Sequence, residues 1–181
     1  MVNFKRAVLA LMAVLFVPAV ARAVDGVAVE GGTGDESTIR GGAAAVWDWN
    51  VHWLRLGSWS FGGQWELSAS YWRGNEGHTG NESLAEIGIT PVFRYRTDTP
   101  ILGTYPFVEA AIGAHALSNT ELGNRRFGIN YAFGDHLGAG FRFGSDGKFE
   151  LGYRFQHLSN CSFSRHNDGI NFQLLRLGYR F

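Results

Sequence analysis

The stretch Asn171 to Phe181, NFQLLRLGYRF, decides the fold class. Leu175, Leu177, Tyr179 and Phe181 share one parity, while Arg176 and Arg180 share the other. A period of two marks a strand with one apolar and one polar face. The same alternation runs through WSFGGQWELSASYW (59–72), where Trp59, Phe61, Trp65, Leu67, Ala69 and Tyr71 oppose Ser60, Gln64, Glu66, Ser68 and Ser70. In LAEIGITPVFRYR (84–96), Ala85, Ile87, Ile89, Phe93 and Tyr95 oppose Glu86, Thr90, Arg94 and Arg96. A soluble β-sandwich also alternates. Here, however, the segments run about ten residues or more and their apolar faces are rich in aromatics, the length and composition of tilted bilayer-crossing strands.

Eight such segments are predicted, at 24–34, 38–49, 59–72, 84–96, 103–115, 127–143 (interrupted near Gly134), 149–159 and 169–181. Eight strands close a barrel, so the expected fold is all-β: an eight-stranded antiparallel transmembrane β-barrel. Its lumen would hold Glu66, Glu86, Glu109 and Glu150 against Arg94, Arg96, Arg142, Arg154 and Arg176, and would be packed rather than open. Pro91 and Pro106 fall inside predicted strands, which calls for a bulge or a strand end at each. The polar breaks 74–82, 118–124 and 160–168 read as extracellular loops.

The first residues, MVNFKRAVLALMAVLFVPAVARA, join a basic start (Lys5, Arg6) to an apolar core and a small-residue cleavage point at Ala21 and Ala23. Residues 1–23 therefore read as a secretory signal peptide and 24–181 as the barrel. Lys5, Arg6 and Arg22 leave with the leader, so the 16 acidic residues outnumber the remaining basic ones and nucleic acid has no electrostatic footprint. Cys161 is the only cysteine, which excludes an internal disulfide, and it reads as a small, weakly polar filler. No histidine pair has metal-ligand spacing, so neither a metal nor another cofactor is expected. His52, His78 and His136 fall in predicted turns or loops, His115 faces the lumen, and His166 lies in an exposed loop.

The stretch FQHLSNCSFSRHNDGIN (155–171) departs from this pattern. His157 and Ser159 share parity with Leu151, Tyr153 and Phe155, which points two polar side chains outward. Head-group level, above the apolar band, is the bland explanation. If the hairpin folds symmetrically about Ser164, Asn171 stands opposite His157 on the same face. A serine, an imidazole and a hydrogen-bonding partner then converge, the parts needed to activate a hydroxyl as a nucleophile. A lipid-facing site implies a lipid ester as substrate.

His157-Leu158-Ser159-Asn160 followed by NDGI (167–170) resembles the lipid A 3-O-deacylase family, the PagL-type outer-membrane enzymes. AVWDWN (45–50), SASYWRG (68–74), TPVF (90–93) and PFVEAAIG (106–113) are similar as well, so the likeness covers nearly all of the mature chain. The resemblance implies an eight-stranded barrel in the bacterial outer membrane that removes the ester-linked 3-acyl chain of lipid A. It also implies Ser159 as nucleophile and His157 as general base, with Asn160 and Asn167 near the oxyanion. Where the family carries a glutamate this chain has Asn171, and Asp168 is the alternative acid. The implied partners are lipopolysaccharide, outer-membrane lipids and the barrel assembly machinery, with homodimer formation left open. A non-enzymatic barrel for adhesion or membrane stability, and a phospholipase-type esterase, are the rival readings.

A terminal Phe with Tyr two residues earlier is similar to the assembly signal of bacterial outer-membrane barrels. Deleting Phe181 is expected to lower the yield of assembled barrel while export continues. Fractionation of the envelope checks this, and normal outer-membrane yield would remove the terminal aromatic from the assembly signal.

Overall fold

The computed structural model describes residues 23–75 and 77–181; the expected leader lies, apart from Ala23, outside them. The strands are β1 (Gly26–Gly34), β2 (Ile39–Asp48), β3 (Trp53–Leu56), β4 (Trp59–Arg73), β5 (Ser83–Thr97) and β6 (Tyr105–Leu117). They continue with β7 (Glu121–Leu122), β8 (Arg125–Arg126), β9 (Tyr131–Phe143), β10 (Phe149–Ser159) and β11 (Ile170–Arg180). Eight of these, β1, β2, β4, β5, β6, β9, β10 and β11, form a closed antiparallel barrel. Each pairs with the next, and β11 returns to β1 from Gly26↔Arg180 to Gly34↔Phe172. The short β3 lies beside one end of β4, and β7–β8 is a separate hairpin in the connection between β6 and β9.

Alternation sets which side chains face in. In β4, Gln64, Glu66, Ser70 and Trp72 are buried, while Leu67, Ala69 and Tyr71 are exposed. The lumen is filled by interlocked charges. Arg94 pairs with Glu109 at 2.7 Å and with Glu150 at 2.6 Å. Arg154 pairs with Glu66 at 2.8 Å and Glu109 at 2.6 Å. Arg176 reaches Glu66 at 2.9 Å and Glu150 at 3.3 Å. Arg40 reaches Glu86 at 3.1 Å and Glu30 at 3.3 Å. Buried charges persist only when paired and hydrogen-bonded, and here each guanidinium answers at least two carboxylates. Arg96 lies nearer one end, against Asp48 at 3.2 Å, and Arg142 stacks over Tyr105 at 5.7 Å.

Above this polar layer lies an apolar plug that includes Trp72, Leu122, Phe127, Leu158, Ile170 and Phe172. Trp72 meets Phe172 edge-on at 4.8 Å between ring centroids, and the Arg40 guanidinium stands 5.3 Å over Phe172, joining the two layers. At the other end, an outward aromatic belt links Phe143, Phe149, Tyr179 and Phe181 ring to ring. Such belts settle at the membrane interface, where amphipathic rings sit comfortably.

Three expectations are corrected. Pro91 causes no bulge: it pairs with Trp65 in unbroken register, and on the β6 side the pairing merely passes over Thr90 and Pro91 between Ile89↔Ala114 and Val92↔Ala111. A missing N–H costs one ladder bond without shifting the strand. Pro106, by contrast, lies at a strand end as expected, the second residue of β6. The sixth barrel strand is not interrupted at Gly134, which pairs on both sides. His136 therefore sits not in a turn but inside β9, buried in the lumen 3.4 Å from Glu109.

Arg154 and Arg176 each answer three carboxylates, and the loss of Arg154 should be felt most because its contacts are the shorter, 2.6 Å to Glu109 and 2.8 Å to Glu66. Arg154→Ala is expected to destabilise the barrel by about 3–5 kcal/mol, the cost of stranding buried charge. Urea unfolding of the refolded barrel in detergent measures it, and an unchanged midpoint would mean the network contributes nothing.

Candidate active site

Alternation in β10 buries Gln156 and Leu158 and turns His157 and Ser159 to the outer face, and Asn160, just past its end, is buried as well. Leu158, like Ile170 and Phe172 on β11, belongs to the apolar plug, so the wall behind the outer residues is close-packed. The register of β10 against β11 pairs His157 with Asn171, as a hairpin centred on Ser164 requires. Across that pair His157 Nδ1 and Asn171 Oδ1 are 2.8 Å apart. The amide oxygen only accepts, so Nδ1 carries the proton and Nε2 is left with its lone pair.

Two carboxylates extend this pair into a row. The register of β9 against β10 sets Asp135 opposite His157 on the other flank, and Asp135 is exposed, on the same parity as Leu137 and Ala139. Beyond Asn171, the turn between β1 and β2 delivers Asp35. Its Oδ2 accepts from both the backbone N and the Nδ2 of Asn171, each at 3.0 Å. Three neighbouring strands and the β1–β2 turn thus line up Asp35, Asn171, His157 and Asp135.

Ser159 stands two residues from His157, about 6.5 Å along the strand. Among the described residues no hydrogen bond joins its Oγ to the ring. In unliganded sites such bonds are commonly long and tighten with substrate. Burial pushes the Cys161 thiol above its ordinary range, Ser159 partly opposes that, and Asp135 adds to it.

The loop after Ser159 is tied down by its asparagines. Asn160 is 1% exposed and its Nδ2 donates to Phe127 O at 2.6 Å and His166 O at 2.7 Å. Both amide hydrogens are committed, so this side chain has no donor free for an oxyanion. Asn167 Oδ1 accepts from Asn160 N at 2.7 Å, which leaves its own Nδ2 free of that bond. Asp168 Oδ2 accepts from Arg126 N at 2.7 Å, away from the imidazole. Arg125 donates to Gly169 O at 2.5 Å and pairs with Asp35 at 3.4 Å, bridging this loop to the β1–β2 turn. Gly169 has φ +59°, and a Cβ there would lie 3.1 Å from His157 Cε1, so glycine lets the chain re-enter β11 against the ring.

Asp35 and Asp135 are absent from the sequence reading. Asp135 did carry a signal, a charge on an otherwise apolar outward parity, the same anomaly that marks His157. Asp35 carried none, because only the β1–β11 register brings it near. Three other histidines lie apart from this row: His52 contacts Ser60, His78 contacts Asn124, and His115 bonds Glu86 in the lumen.

Residues 39–180 match the family described as lipid A 3-O-deacylase (PagL). The chain is 36% identical over 165 residues to the lipid A deacylase PagL of Pseudomonas aeruginosa, covering 91% of this chain and 90% of that one. It is 33% identical over 133 residues to the lipid A deacylase PagL of Bordetella bronchiseptica, covering 70% of each. The crystal structure of the outer membrane enzyme PagL superposes with a TM-score of 0.78 at 28% identity, covering 86% of this chain and 99% of that one.

Asn160→Ala should loosen the loop without opening the barrel, because it strands the buried Phe127 carbonyl, at about 1–3 kcal/mol, and releases the His166 carbonyl. Faster proteolytic nicking within 160–168 at unchanged barrel content is the expected result, and unaltered resistance would argue against the clamp.

Proposed function

The chain belongs to the lipid A 3-O-deacylase (PagL) family and is an outer-membrane enzyme that deacylates lipid A; from that premise we propose that Ser159 and His157, on the outer wall of the barrel, carry out the hydrolysis. The observation that carries the reading is the 2.8 Å contact from His157 Nδ1 to Asn171 Oδ1, with Ser159 on the same outward face.

Nε2 of His157 accepts the Ser159 proton as Oγ attacks the ester carbonyl at the 3-position of the sugar. The tetrahedral oxyanion is met by Asn167 Nδ2 and loop amides. Collapse breaks the bond to the sugar oxygen, which takes the proton from the imidazolium to become a hydroxyl, and leaves Ser159 acylated. Water, deprotonated by the same imidazole, then frees the fatty acid and restores Ser159. Asn171 is the third member in this scheme, and Asp168 is a loop anchor through Arg126.

An outward site suits this substrate. Below His157 the wall presents Phe155, Tyr153, Leu175 and Leu177, all exposed, as a surface against which an acyl chain lies in the outer leaflet. The sugar and its phosphates remain at the level of the polar loops. No step requires the lumen, which supports a closed and charged interior.

Expression in a Gram-negative host is expected to remove one ester-linked 3-hydroxyacyl chain from lipid A and leave the amide-linked chains, as read by mass spectrometry. Ser159→Ala and His157→Ala should each lower turnover by at least about a thousandfold at equal folded barrel content. Full activity in Ser159→Ala would overturn the nucleophile assignment, and Gly169→Ala should lower activity by crowding the ring.

A further inference from the structure

Asn171 can orient His157 only if its amide faces the right way. With Oδ1 towards the ring, Nδ1 keeps the proton and Nε2 can act as base. With Nδ2 towards the ring, Nδ1 has to accept, the proton moves to Nε2, and the base is lost. The two orientations have the same shape, so packing alone cannot choose between them.

Asp35 can choose. Its Oδ2 lies 3.0 Å from Asn171 Nδ2 and 3.0 Å from Asn171 N. An ionised carboxylate only accepts hydrogen bonds, so it holds Nδ2 on its own side and turns Oδ1 to the imidazole. We infer that Asp35 is a positioning residue of the deacylation, acting through Asn171 to fix the tautomer of His157. Its charge also polarises the amide towards the imidazolium that forms during acyl transfer. The inference rests on the Ser159–His157 reading above.

The turn is built to hold Asp35 there. Gly34 N donates to Thr38 O at 2.7 Å, and Glu36 and Ser37 take φ of 54° and 60° to close it. A Cβ at Gly34 would lie 2.7 Å from Asn171 O, so glycine brings the turn within reach of β11. Arg125 pairs with Asp35 at 3.4 Å and with Glu36 at 3.5 Å, fixing the carboxylate from the loop side. Asp135 faces His157 from the opposite flank and so has no hold on the amide.

The test is a double-mutant cycle on folded, purified barrels, with kcat and KM measured on lipid A. Asp35→Asn keeps the shape but lets both amides flip, and should lower kcat by at least about tenfold with KM little changed. Asn171→Glu alone sets two carboxylates side by side. In Asp35→Asn/Asn171→Glu that repulsion is gone and Glu accepts the Nδ1 proton in either orientation, so activity should exceed that of both single variants. One substitution thus harms the first background and helps the second, which mere loosening of a turn would not do. In ¹⁵N spectra His157 should lose its pure Nδ1–H form in Asp35→Asn. Wild-type kcat in Asp35→Asn, or equal losses in both backgrounds, would overturn the inference. Ser159→Ala run in parallel separates the two readings: inactive, it leaves any failure with Asp35; active, it removes the site itself.

Discussion

Hydrocarbon offers no water to a free strand edge, so a sheet crosses a bilayer only if its first and last strands pair. Here the seam is β1 against β11, antiparallel from Gly26↔Arg180 to Gly34↔Phe172. Closure fixes more than stability. Because the register runs to Gly34↔Phe172, the residue after β1 falls level with Asn171, and the β1–β2 turn is delivered to the β10–β11 hairpin. Slipping the seam by one residue would reverse every face. The row of Asp35, Asn171, His157 and Asp135 is therefore a consequence of how the barrel closes.

The interior keeps that row rigid. A lumen of charge alone would be wet and adjustable, and the paired arginines and glutamates already fill it. Over them the apolar plug supplies close-packed backing, since Leu158, Ile170 and Phe172 are the inward neighbours of His157, Ser159 and Asn171 along their strands. An outward side chain on a strand anchored this way has few places to go. The polar outer residues add little to stability, while the buried ones beneath them hold the geometry within which they act.

Strand number, alternation and the charged lumen were legible because each depends only on parity within a strand. The pairing of His157 with Asn171 was legible too, because a hairpin relates two residues by the length of one loop. Asp35 was not: it is 136 residues from Asn171, and its approach depends on barrel closure, which no local pattern encodes. Asp135 was hidden by the break expected at Gly134, which obscured the continuous outward parity of β9. Asn160 misled because a loop asparagine next to a serine suggests a donor, whereas its inward parity commits both amide hydrogens to the carbonyls of Phe127 and His166. Pro91 misled in the opposite sense, as a single missing N–H is tolerated when the register on the other side is intact.

The amide at position 171 has a cost and a compensation. A carboxylate against the imidazole would orient the ring from either oxygen and stabilise its charged form, but on a lipid-facing wall it would also have to be desolvated. Asn171 avoids that desolvation and loses the built-in orientation, since an amide has two different ends. On the inferred role of Asp35, a charge one strand further out, in a turn where its side chain keeps 34% exposure, would return orientation without burying an ion beside the substrate. The charge then acts on the imidazole through a polarised amide rather than directly, and its effect is weaker. On the proposed mechanism the site depends on the amide being held, so activity would follow the turn between β1 and β2 as much as the hairpin that carries Ser159.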